Sequence, residues 1–353
     1  MKRSGGHFLN QSTYNGCSAL IPREIKPGTP RIKPYFNSNI METPINNKLR
    51  RIGQGFCGSV WASPSGNGFA IKREDGSPGR SLYNDFIMHQ QALKTLSAAN
   101  ATVYVPKCHN YITSDNRAWW DSRLARFPKN YQPCNALITE RIPAFSKAVR
   151  DRLIDCFCPE KLKSIIYTSE PDQDCLVRPY LGRRRCPVRS SRFQAFSLRN
   201  YPLHVDQIEA LNLDGGLYAR IMAATLAQLF WLAQIDANDL EFVLAPKPSD
   251  PAAQTTIIES EILGEHVVWI LDFDCCKPMP MDEAGVKQAV DPFFKNDSFY
   301  PRPNRDNVND QSLWAEFKDH FLETSKAILG NKPESRLPLL WVSLVEQRQI
   351  ATS

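Results

Sequence analysis

Apolar and polar positions first fall into a regular pattern near Lys48. From there to Lys72, short apolar runs interrupted at Gly53, Gly55 and Gly58 predict two antiparallel strands joined through a glycine loop, then a third strand ending at the lysine. Residues 81–96 carry Leu82, Phe86, His89, Leu93 and Leu96 at helical spacing. Residues 103–106 and 136–142 read as further strands, and Pro143 ends the second, as a linker between lobes would. Residues 216–234 are apolar nearly all round and free of proline, the pattern of a buried central helix that delivers the chain to Asp236. The β-rich run 267–274 ends in Asp272 and Asp274, which places both acids at one strand end. Phe293, Trp314, Phe317 and Phe321 then supply anchors for closing helices. Residues 1–47 are rich in Pro, Asn, Gly and Ser without an apolar period and read as a flexible arm. The pattern therefore divides the chain into that arm, a β-rich lobe at 48–145 and a helical lobe at 146–353.

Sequence order gives the glycines a chemical meaning. Arg51-Ile-Gly-Gln-Gly-Phe-Cys-Gly-Ser-Val-Trp61, followed by Ala70-Ile-Lys72, matches the strand-loop-strand and lysine of a protein-kinase nucleotide site. Glycines let the backbone approach a phosphate closely, and the lysine supplies a point charge. Asp85, on the following helix, is the candidate partner of Lys72. Residues 235–244 then resemble a kinase catalytic loop, with Asp236 on its Asp position and Glu241 on its metal-binding Asn position. Asn238 replaces the usual lysine. Asp272 stands where the magnesium-binding aspartate of Asp-Phe-Gly would stand, with Asp274 in place of the glycine. Three matches in kinase order imply an α+β, protein-kinase-like two-lobed fold, with a small β-rich N-lobe and a larger helical C-lobe. They argue less strongly for phosphotransfer.

Charge changes the functional picture more than composition does. The net charge of +6 is modest, but the stretch from Cys175 to Val205 contains no acid. It carries Arg178, Arg183, Arg184, Arg185, Arg189, Arg192 and Arg199, interleaved with Tyr180, Phe193, Phe196 and Tyr201. Guanidinium forks fit phosphates and aromatics stack on unpaired bases, so the run reads as a nucleic-acid surface. The plainer reading is a basic loop that pairs with acids elsewhere in the fold. In the opposite sense, Asp236, Asp239 and Glu241 converge with Asp272 and Asp274, with Asp236 and Asp272 expected to face the cleft. Carboxylates so close repel unless cations intervene, so either metal ions or a cationic substrate belong there.

The remaining signals are weaker. Ten scattered cysteines and a polar start predict a cytoplasmic protein with reduced thiols, and no apolar run of about 18 residues predicts a membrane span. Cys156, Cys158, Cys175 and Cys186 could supply four thiolates to zinc. Their gaps are irregular and lack a Cys-x-x-Cys pair, so no metal ligand set is assigned. Trp119-Trp120 reads equally as a stacking platform or as core.

The glycine-loop motif, Leu176-Val-Arg-Pro-Tyr-Leu-Gly-Arg-Arg-Arg185, residues 235–244 and Trp269-Ile-Leu-Asp-Phe-Asp274 together resemble a fungal family labelled hypothetical or "zinc finger" protein. The likeness covers roughly 48–330. Some of its members are arginine-containing cyclodipeptide synthases. The resemblance implies joining of an arginyl group to a second aminoacyl group, both taken from charged tRNAs, to release a cyclo-Arg-Xaa dipeptide for secondary metabolism. On that reading Asp236, Asp239, Glu241 and Asp272 are catalytic, and the six arginines 178, 183, 184, 185, 189 and 192 bind tRNA. Gly53, Gly55, Gly58 and Lys72 hold a phosphate or the tRNA 3′ end. The ester is already activated, so no cofactor is required. Partners are arginyl-tRNA, a second aminoacyl-tRNA and enzymes that modify the product, with no membrane. The alternatives are a kinase-like phosphotransferase using ATP and Mg, acting on a small molecule or protein, and a non-catalytic binding module.

Overall fold

The computed structural model describes residues 48–64, 68–99, 101–185, 195–250, 255–303 and 305–352. Strands β1 (Arg50–Gln54), β2 (Ser59–Ala62) and β3 (Phe69–Arg73) are followed by helix α1 (Leu82–Ala98). Strand β4 (Cys108–Ile112), helix α2 (Arg117–Arg123) and strand β5 (Ala136–Glu140) complete the first part. The five strands form one antiparallel sheet in the order β1-β2-β3-β5-β4. Ala70 and Ile71 of β3 are buried, and Lys72 lies opposite Val60 on β2 and Leu137 on β5. Ser81 caps α1 through its hydroxyl, which accepts from the Asn84 amide.

Helices dominate the second part: α3 (Lys147–Phe157), α4 (Glu160–Thr168), then β6 (Val177–Tyr180), β7 (Tyr201–His204), α5 (Val205–Ala210) and α6 (Gly215–Gln228). Strands β8 (Glu241–Ala245) and β9 (Val267–Leu271) precede α7 (Glu283–Lys295), α8 (Val308–Leu329) and α9 (Leu337–Thr352). The order is a β-rich sheet followed by a mostly helical part, as the sequence pattern predicts. Helix α6 is the predicted central helix, and one π turn, Leu229–Ala233, carries it to Gln234. By length and composition, Gly215–Ala233 is the one described helix apolar enough to cross a membrane, yet 72% of it is buried inside the fold.

Three features depart from the pattern read in the sequence, and one reading left open is decided. Residues 103–106 form no strand, since Tyr104 makes only an isolated bridge to Trp269. Strand β4 went unpredicted because Cys-His-Asn-Tyr-Ile has no apolar alternation. The helical part also contains a four-stranded sheet, β7-β6-β8-β9, whose β6 and β7 are four residues long and each hold a proline. Trp119 and Trp120 are core, packed with Phe127 and Ile138. The larger core includes Met88, Ala92 and Leu96 of α1 as well as α6, α8 and α9.

Candidate active site

The glycine loop is fastened to the turn that follows β3. The Cys57 carbonyl accepts from the Gly76 amide at 3.1 Å and the Phe56 carbonyl from Ser77 at 2.9 Å. Asp75 accepts from the Ser59 amide and hydroxyl and from Arg73. Gly58 is required there: its φ is +151°, and an added Cβ would lie 2.0 Å from the Arg73 carbonyl oxygen. A Cβ on Gly55 would meet nothing within 4 Å. Cys57 is buried, and burial pushes its thiol up to about 12, out of nucleophilic range.

Lys72 reaches both predicted acids. Its Nζ lies 2.5 Å from Asp85 on α1 and 2.7 Å from Asp272 beyond β9. Burial alone would lower the ammonium, but Asp272 and Asp85 overcome it and hold it well above the usual lysine range. Asp272 has a left-handed backbone, φ +67°, and so do Gln234, Ala237 and Asp239 in the acidic loop. Four non-glycine residues in that sparsely populated region, gathered where the acids are, mark a locally strained cleft.

The acids of the loop have separate environments. Asp236 is 2% exposed. Its carboxylate accepts from the amides of Asn238 (3.1 Å) and Lys277 (2.9 Å) and from Gln288 Nε2 (2.8 Å). Burial raises its carboxyl against those three donors. Glu241 lies at the start of β8 and receives Arg178 Nη2 at 2.6 Å on both oxygens. Burial pushes Glu241 up to about 7, against the pull of Arg178 and with Asp272, Asp297 and Asp239 adding repulsion. Arg178 is also held by Asp297 at 3.1 Å, and Tyr180 donates to the same carboxylate at 2.6 Å. Asp239, whose side chain is 48% exposed, meets a residue that no motif singles out. Arg80 Nη1 lies 3.0 Å from Asp239 and 2.9 Å from Asp274, and also contacts the Cys275 thiol. Asn296 fixes the loop from α7's end, accepting from the Asp239 amide at 2.8 Å and donating to the Ala237 carbonyl at 2.9 Å.

Asp239, Asp274 and Cys275 are the one group of three potential metal donors among the described residues. Arg80 touches all three, so in this structure the set holds a guanidinium. Cys156, Cys158 and Cys175 form no such group, and Cys186 lies outside the described residues.

Much of the arginine run is paired within the fold. Arg184 bonds Glu209 through both terminal nitrogens, at 2.6 and 2.7 Å, and also reaches Asp310. Arg185 bonds Asp206, and Arg199 donates to the Ile52 carbonyl of β1 at 3.0 Å. Arg183 is exposed. Arg189 and Arg192 lie outside the described residues.

Arg80, Arg178's partner Asp297, Gln288 and Asn296 were missed by sequence reasoning. Each comes from a distant segment, and only the fold brings it to the loop. Residues 268–333 match the family DUF3669, described as "Zinc finger protein". That segment runs from β9 through Asp272 and Asp274 into α8. Among curated proteins nothing matches the chain. Among solved structures, the kinase domain of maize sucrose-induced receptor kinase 1, bound to AMP-PNP, is similar over 86% of this chain and 80% of its own. The identity is 11% and the TM-score 0.29, too low to bear on the site.

Proposed function

We propose that this chain is an aminoacyl-tRNA-dependent cyclodipeptide synthase that joins an arginyl group to a second aminoacyl group. The observation that carries the reading is a guanidinium, that of Arg80, held between Asp239 and Asp274 in the same acidic cleft as Glu241. A cleft that holds this guanidinium has the chemistry to hold the side chain of an arginyl substrate. Glu241, poised near neutrality, takes the proton from the attacking α-amine as its nitrogen bonds the ester carbonyl of the other aminoacyl group. The C–O bond to the tRNA 3′ oxygen breaks, and that oxygen takes the proton as it leaves. The same exchange within the dipeptidyl ester closes the ring. The activated ester supplies the driving force, so ATP and metal are unnecessary. The reaction takes place in the cytoplasm, where charged tRNA is available, and the product passes to modifying enzymes.

Purified protein given charged tRNAs, arginyl-tRNA among them, is expected to form a cyclo-arginyl dipeptide without ATP, detected by mass spectrometry. Ribonuclease should abolish it. Product formed from free amino acids and ATP after ribonuclease treatment would refute the tRNA-dependent route.

The Lys72–Asp85 pair favours a second reading, nucleotide binding. Against it, Asn238 stands where the kinase loop has lysine and Asp274 where the Asp-Phe-Gly motif has glycine. A melting curve with ATP and Mg separates the readings, since only nucleotide binding requires stabilisation.

A further inference from the structure

We infer that Arg80 is a tethered occupant of the cleft, a built-in plug that an incoming cationic substrate must displace, with Phe56 of the glycine loop as its cover. The inference rests on the proposed arginyl specificity and adds a gate to it. Arg80 lies between the sheet and α1, and its guanidinium reaches into the acidic loop of the helical part, where it contacts Asp239, Asp274 and Cys275. Phe56, at the tip of the glycine loop, is 73% exposed, and Arg80 lies 5.6 Å from its ring centroid. A large aromatic held in water on top of a guanidinium adds a cation–π contact and covers the polar group beneath it. The tip and the arginine also share one support. Phe56 and Cys57 accept from Ser77 and Gly76 of the segment that carries Arg80, so the cover and plug are linked by backbone hydrogen bonds.

The plug is able to leave. Gly79, immediately before Arg80, has φ +95° and open space where a Cβ would lie, so no side chain at this position resists a turn of the backbone. Asp239 is half exposed, and the arginine itself is 25% exposed. Asp274 is only 3% exposed, and burial, then Asp272, raise its carboxyl. Vacating the cleft without a replacement cation would leave that buried acid unpaired. The design therefore favours exchange of one guanidinium for another over simple opening. It keeps the acidic loop neutralised when no substrate is present, and it discriminates against uncharged amino acids at that position.

The test uses L-argininamide as a probe, with L-norleucinamide as the uncharged control, in calorimetric titrations of the full chain. Arg80→Met should bind L-argininamide at least tenfold more tightly than the wild type and leave norleucinamide unchanged. Adding Asp274→Asn should abolish the gain. Phe56→Ala, at an exposed position, should strengthen argininamide binding several-fold and decides the matter if Arg80→Met does not fold. Equal affinity in wild type and variants, or no argininamide binding in any of them, would overturn the plug. A lowered melting temperature with unchanged affinity would mean that Arg80 only ties the two parts together. Binding is read without tRNA or turnover, so a tenfold gain with no cyclic dipeptide would sink the synthase reading alone.

Discussion

At Glu241, burial and charge act in opposite directions on one carboxyl. Its ordinary value of 4.5 is raised to about 7 by burial, even though Arg178 grips both oxygens. The folded state therefore holds a proton on this group between those values that the unfolded chain has released. Its contribution to stability is present below 4.5 and is lost as pH rises through 7. On the proposed activity, a base with that value predicts dipeptide synthesis that climbs with pH through about 7. Glu241→Gln should remove most turnover and the limb with it, while its melting temperature falls less between pH 5 and 8 than the wild type's. A pH–rate profile beside melting curves reads both. Asp236 should behave otherwise, because its three donors are already satisfied by the carboxylate. Asp236→Asn forces Gln288 to turn its amide or lose that bond, at a cost of about 1–2 kcal/mol in urea unfolding. Activity lost in Asp236→Asn but not recovered in the cold would mean that Asp236 takes part in the chemistry.

The elements were legible where local pattern and tertiary demand agree. Strand-loop-strand to Lys72, α1, the buried α6 and the strand that ends at Asp272 all announce themselves, because one face or the whole segment is apolar. What could not be read was whatever pairing alone creates. Strands β6 and β7 are too short to show a period, and β4 is too polar. The position of Asp236 likewise depends on Gln288 from α7 and the Lys277 amide, fifty-two and forty-one residues on. The glycine loop offers a test at this scale. Gly58→Ala places a Cβ against the Arg73 carbonyl and should cost about 2 kcal/mol or more, whereas Gly55→Ala should leave the melting temperature nearly unchanged. Equal effects in thermal melts would mean that the loop is not fixed as described.

Across the whole molecule, the arginine run turns out to combine two kinds of residue that its sequence could not separate. Arg184 is committed to Glu209 and Asp310, so Arg184→Ala should lower stability by about 1 kcal/mol with little effect on how tRNA binding responds to salt. Arg183, exposed beside it, is the better candidate for a phosphate contact. Arg183→Ala should flatten the log–log salt dependence of tRNA affinity by about 0.7–0.9, one contact's worth, for different tRNAs alike. An unchanged slope would remove Arg183 from the proposed tRNA interface.

Helix α1 sits between strands β3 and β4 in the chain but buries Met88, Ala92 and Leu96 in the core of the helical part. Asn84 donates to the carbonyls of Asp274 and Cys276, and Gln91 to that of Ala233. The segment beyond it is stitched to β9, through Tyr104 to Val268 and from Ile270 back to Tyr104. The seam along which the molecule can be taken apart therefore does not run at Pro143, where the chain invites a cut. A fragment beginning after Ile142 would lose Met88, Ala92, Leu96, Ala101, Val103 and Val105 from its core and strand the edge of β9. Supplying residues 80–106 as a separate peptide should restore it, as a missing stave restores a barrel.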